Sequence, residues 1–111
     1  MPIYITQGRY TREAIKGMIV KPEDRADAVS RLLSKTGGRL LGYYLTFGEY
    51  DFLTIAECPN DVQMAAVLLA AGSGGGVTDL RTTVALTSVE AKGALAAASD
   101  LAPSFKSAGG T

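Results

Sequence analysis

The chain predicts an α+β fold, a four-stranded antiparallel sheet with two helices on one face. Three observations carry this expectation. Four segments alternate at the two-residue period of a strand. The segments between them pair a capping residue with apolar residues three or four apart, the helical pattern. Their order along the chain is β-α-β-β-α-β, followed by one more short helix. The length, 111 residues, suits one domain.

The first strand runs over Ile3–Tyr10, with Ile3 and Ile5 on one face and Tyr4 and Thr6 on the other. Thr11 caps a helix whose first turn holds Glu13, an acid at the positive helix end. Ala14, Ile15 and Met18 share a helical face, and Gly17 and Pro22 interrupt it. A break is expected at Val20–Lys21, then a longer helix from about Pro22 to Lys35 with Ala26, Val29, Leu32 and Leu33 as its stripe. Gly37-Gly38 ends that helix, one of the two in the left-handed conformation. Arg39–Phe47 and Tyr50–Cys58 read as a hairpin joined by a tight Gly48-Glu49 turn. Leu41, Tyr43, Leu45 and Phe47 then fall on one face of its first strand. Pro59 stops the second strand, and Asn60 with Gln63 opens a helix whose Val62, Ala65, Ala66 and Leu69 share a face. After the glycine-rich turn at 72–76, Val77–Thr87 alternates again, with Leu80, Thr82, Val84 and Leu86 together. Thr87 and Glu90 form a capping box for an alanine-rich helix. The domain is expected to span residues 1–98, leaving 99–111 as a flexible tail rich in Pro, Ser, Gly and Ala.

This order is the ferredoxin-like split βαβ arrangement, and right-handed crossovers would put both helices on the same face of the sheet. The other face then needs a cover. Neither face of the hairpin strands is cleanly polar, and Tyr or Phe remains whichever side points outward. A second copy packed by two-fold symmetry is the simplest cover.

Composition excludes several kinds of chemistry. Lys plus Arg and Asp plus Glu number 11 each, for a formal net charge of zero. That balance argues against a nucleic-acid binder or a polybasic membrane-surface protein. There is no histidine, which removes His-based acid–base and nucleophile pairs, His-ligated zinc and His-ligated haem. The single cysteine, Cys58, has no intrachain disulfide partner. Together with the strand-like start, where a signal peptide would begin with a basic segment, this favours a cytoplasmic setting. The longest apolar helical stretch, Val62–Ala71, is half what a bilayer span needs. No metal or cofactor is expected.

The hairpin residues Gly48-Glu49-Tyr50-Asp51 resemble the signature of the GYD domain family. They follow Gly38-Arg39-Leu40 and Tyr43-Tyr44-Leu45-Thr46. The opening Pro2-Ile3-Tyr4 with Thr11, and the late Val84-Ala85-Leu86, fit the same layout. The resemblance implies a dimeric α/β barrel, two ferredoxin-like sheets packed face to face, which agrees with the uncovered-face argument. It implies no particular activity.

Within that frame Tyr50 and Asp51 are the first ligand-binding candidates, a hydrogen-bond donor and a base or anchor at the rim of an inter-sheet pocket. Beside a turn glycine, Asp51 is more commonly a backbone anchor, and the structural role is favoured. Lys16 and Arg81 offer cations to an anionic ligand, as do Arg9 and Arg39, although each also reads as an ordinary solvated side chain. Glu57 shares a face with Leu53 and Ile55, and if buried needs Arg81 or Lys16 as a partner. Cys58 reads as a small buried apolar residue. The glycines at 72–76 follow a helix and precede a strand, the reverse of a phosphate loop.

Two functional readings follow. One is a homo-oligomeric module of even copy number that binds a small molecule or assembles with itself. The other is a cofactor-independent enzyme acting on a small anionic or aromatic metabolite in the inter-sheet cavity.

Overall fold

The computed structural model describes residues 1–110. The strands are β1 (Ile3–Tyr10), β2 (Arg39–Leu45), β3 (Phe52–Glu57) and β4 (Val77–Ala85). The helices are α1 (Arg12–Val20), α2 (Arg25–Ser34), α3 (Asp61–Ser73) and α4 (Ser88–Leu101), the last followed by a 3-10 turn over Ala102–Ser104. The four strands form one antiparallel sheet in the order β2-β3-β1-β4. The fold is therefore α+β.

Cross-strand register sorts the side chains into two faces, because residues directly opposite in an antiparallel pair point the same way. One face carries the rows Leu40–Ala56–Tyr4–Val84 and Tyr43–Thr54–Thr6–Thr82. This face meets the helices. Tyr4, Ala56 and Cys58 pack with Leu33 of α2 and Met64 and Val67 of α3 to form the core. The opposite face carries Arg39–Glu57–Ile3–Ala85, Gly42–Ile55–Ile5–Thr83 and Tyr44–Leu53–Gln7–Arg81. Among the described residues no element lies over its centre, where the half-buried Ile3, Ile5, Leu53 and Ile55 meet; Tyr44 beside them is 57% exposed.

Local chemistry explains the element ends. Thr11 accepts from the Ala14 N–H, Asp24 from Ala26 and Asn60 from Gln63, each satisfying an orphan donor of its helix. Gly37, at φ 81°, takes the left-handed cap after α2, and the Gly38 N–H returns to the Leu33 carbonyl.

Four sequence expectations need correction. The hairpin does not turn on two residues: β2 stops at Leu45, β3 starts at Phe52, and 46–51 form a loop closed by Thr46 N–H to the Asp51 carbonyl at 2.8 Å. A bulge between Leu40 and Gly42 takes Leu41 out of the alternation, so Tyr43 and Leu45 share their face with Leu40. The second helix begins at Arg25 under an Asp24 cap, and Pro22 lies outside it. In α3 the buried side chains are Met64 and Val67, whereas Val62 and Leu69 face outward. That helix is apolar nearly all round, so its pattern does not choose a face.

Candidate functional site

The 46–51 loop and the end of β1 make the most elaborated polar region of the molecule. Asp51 is tied to β1 twice. Its N–H donates to the Gly8 carbonyl at 2.8 Å, and its Oδ2 accepts the Tyr10 N–H at 2.9 Å. Thr46 holds the other side of the loop through its hydroxyl to the Tyr50 carbonyl. Arg9 reaches across, donating from Nε to the Glu49 carbonyl at 2.8 Å, with its guanidinium 5.7 Å from the centre of the Tyr50 ring.

On the other side of Arg9, strand β4 carries an extra residue. Gln7 pairs with Arg81 but Arg9 pairs with Thr78, so Asp79 and Leu80 together oppose Gly8. Asp79 sits in the left-handed region at φ 53°, and its carboxylate lies 4.0 Å from Arg9 Nη1. The bulge and the loop enclose a hollow of about 430 Å³ lined by Arg9, Glu49, Tyr50, Asp79, Leu80 and Arg81. Gln7 and Arg81 belong to the uncovered sheet face, so the hollow is continuous with it.

Of the sequence-selected residues, Tyr50 and Arg81 meet in this hollow. Asp51 does not line it; it borders a separate hollow of about 480 Å³ with Tyr10, Ile15, Met18, Arg25 and Tyr43. Lys16 is exposed on α1 and lines neither. Gly48, at φ 139°, gives the loop a conformation that other residues avoid. Glu57 pairs with Arg39 rather than with Arg81 or Lys16, its Oε1 3.1 Å from Arg39 Nη2, because the two are direct cross-strand neighbours. Cys58 is fully buried, its sulfur 3.5 Å from the Thr36 hydroxyl.

A third cavity lies between the helices and the sheet. Sequence reasoning missed it, since it exists only where α2 and α3 stand apart over the sheet. It measures about 450 Å³ and is walled by Val29, Leu32, Phe52, Met64, Leu68 and Leu80, with Tyr10 and Arg25 also on its lining. Tyr10 packs on Phe52 at 5.0 Å between ring centres. Burial raises the pKa of the Tyr10 hydroxyl; Arg25 opposes that rise and Asp51 adds to it. Among the described residues no group of three or more His, Cys, Asp or Glu side chains is placed to hold a metal ion.

Fold and site together define a small single-sheet α+β domain with a polar loop at one sheet end and an uncovered apolar face. The chain belongs to the GYD domain family, whose model matches residues 4–95. It is similar in fold to the crystal structure of TTHA0845 from Thermus thermophilus, at 16% identity and a TM-score of 0.52, over 79% of this chain and 96% of that one. The crystal structure of FFRP-DM1 matches at 14% identity and a TM-score of 0.49, over 78% of this chain and all of that one. No match is found among curated proteins. No helix of the described residues is long and apolar enough to cross a membrane.

Proposed function

We propose that the protein is a homo-oligomeric, small-molecule-binding module, assembled by face-to-face packing of two ferredoxin-like sheets into a dimeric α/β barrel. The observation that carries the reading is the uncovered sheet face. Ile3, Ile5, Leu53 and Ile55 form its centre, and its charged side chains lie around them: Arg9, Arg81 and the mutually paired Arg39 and Glu57. Such a face favours an interface over water, and the β2-β3-β1-β4 order supports the ferredoxin-like reading.

Packing a second sheet on this face would close the hollow at Arg9, Tyr50 and Arg81 from one side. Arg9 is engaged by Glu49 and Asp79 there, so Arg81 and the Tyr50 hydroxyl are the groups that suit an anionic group of a small ligand. Asp51 serves there as the anchor of the loop that presents Tyr50, and Lys16 lies outside the site. The lack of histidine and the absence of Asp51 from the hollow favour binding over catalysis.

Native mass spectrometry tests the assembly and the ligand together. An even-numbered oligomer is expected, and Ile55→Asp, which sets a carboxylate at the centre of the face, should lower its mass at least twofold. A native protein that stays monomeric at tens of micromolar overturns the reading. Retained small-molecule mass that disappears with Arg81→Ala supports the hollow as the binding site.

A further inference from the structure

The C-terminal helix does not belong to the body it is attached to. α4 has sparse contacts with the sheet and the other helices. The chain measures 61 × 33 × 22 Å with a radius of gyration of 18.0 Å, whereas a compact domain of this length has about 13 Å. The helix still has a well-formed start: the Thr87 hydroxyl accepts from the Glu90 N–H, and the Glu90 carboxylate accepts from the Thr87 N–H. A 14-residue helix is marginal alone in water, so its stability must come from packing.

Its side chains are arranged for packing. Ala91, Leu95, Ala98 and Leu101 recur every three or four residues on one side, and Phe105 continues the line beyond the 3-10 turn. Lys92 and Ser99 flank Leu95, and the opposite side carries Val89, Gly93, Ala96 and Asp100. Leu95 is 72% exposed, Leu101 69% and Phe105 76%.

The body lacks a helix of this kind. Over β4 the helix layer is incomplete, leaving Val84 56% exposed and Leu69 on the flank of α3 74% exposed. Between α3 and β4 runs an open groove of about 700 Å³ that includes Leu68, Leu69, Val77 and Leu80. The chain thus has an apolar helix without a groove and an apolar groove without a helix.

The exposed area fits a second copy as the occupant. The accessible surface is 7875 Å². A compact monomer of 11.6 kDa exposes about 5,800 Å², leaving an excess of about 2,000 Å². A standard interface buries about 800 Å² on each partner, so the excess is more than a stable dimer requires. We propose that α4 and its 3-10 turn form an exchange arm, which docks in the α3–β4 groove of a second copy of this chain while that copy's arm docks in return. The arm uses neither Ile5 nor Ile55, so this contact is separate from sheet-face packing, and the two readings can fail independently.

The test uses the full-length chain with a benzophenone side chain in place of Leu95, mixed as ¹⁵N-labelled and unlabelled protein and irradiated. Cross-links between labelled and unlabelled chains are expected, joining position 95 to peptides from 62–86. Leu101→Asp should lower the oligomer mass about twofold while circular dichroism stays near that of the native protein. Cross-links confined to one chain mean the arm folds back on its own groove, and overturn the proposal. Cross-links to other regions, no cross-link, or an unchanged mass in Leu101→Asp overturn it as well. Repeating the cross-linking with Ile55→Asp separates the two interfaces, because inter-chain links persist there if arm exchange stands without the sheet contact.

Discussion

Asp51 holds the loop beside the candidate site, and a Tyr4–Asp61 pair holds the other end of the sheet to α3. Asp51 accepts from the Tyr10 N–H while its own N–H continues the β1–β3 ladder at Gly8, so its side chain ends one strand and starts the next. Removing it in Asp51→Ala leaves the Tyr10 N–H without a partner and should cost about 1–2 kcal/mol, read from urea midpoints. Asp51→Asn retains an acceptor and should cost less than half as much. Equal losses in the two would show that the charge, not the hydrogen bond, is what matters. Tyr4 is the other residue with a measurable signature. Its hydroxyl donates to Asp61 Oδ1 at 2.6 Å, and that hydrogen bond, with burial second, pushes its pKa up to about 12 from an ordinary 10.0. The neutral phenol is therefore favoured in the folded state. Its contribution is fully present below pH 10 and is lost as pH rises from 10 to 12. Urea titrations at pH 9 and pH 11 should show that loss in the native protein, and Tyr4→Phe should show a smaller dependence on alkaline pH. Residue types were largely legible from the sequence: Thr11, Asn60 and Thr87 cap as their positions suggest, and Asp51 serves as a backbone anchor. The partner of Glu57 was not, because it depends on which residue of β2 lies opposite.

At the scale of elements, the order and type of the strands and helices follow alternation and capping, while the 46–51 loop replaces the expected tight turn, α2 starts at Arg25, and the bulges lie where one residue changes the count. The bulge at Leu41 moves a single side chain and reverses the alternation on either side of it. The second bulge, at Asp79–Leu80, lets Leu80 remain on the helix side next to Gly8 while Arg81 returns to the uncovered face. No period-two pattern announces an insertion of this kind. The face of α3 was illegible for a different reason: with alanine, valine and leucine nearly all round, every face is apolar, and only the placement of Met64 and Val67 against the sheet decides. The arm helix shows an element whose start is local and whose support is not. Thr87→Ala removes one side of the capping box and should cost α4 about 1 kcal/mol. Amide exchange should register the change in α4 and leave β1 and β3 unaffected. Acid acts on the same cap. The Glu90 pKa is lowered, first by its hydrogen bond to the Thr87 backbone, so the cap's contribution is present above the ordinary carboxylate range and is lost as pH falls through the lowered value.

For the whole molecule, an excess of exposed apolar surface is the dominant fact. Seven apolar residues are buried, six of them in one core cluster, while Leu69, Val84, Leu95 and Leu101 remain largely in water. A chain with this distribution gains stability from every surface it covers by association, and mass action ties that gain to concentration. The melting temperature should therefore rise by several degrees between about 1 and 100 μM protein. A concentration-independent melting temperature would leave the apolar face and the arm without energetic purpose. The sequence alone determined the order of elements, the caps at Thr11, Asn60 and Thr87, and the exclusion of histidine chemistry. These follow from local periodicity and composition, which act within a few residues. Tertiary structure alone decided the two bulges, the side of α3 that is buried, the meeting of Arg9, Tyr50 and Arg81, and the direction of α4. Each of those depends on which distant segments lie opposite one another, and no residue carries that information by itself.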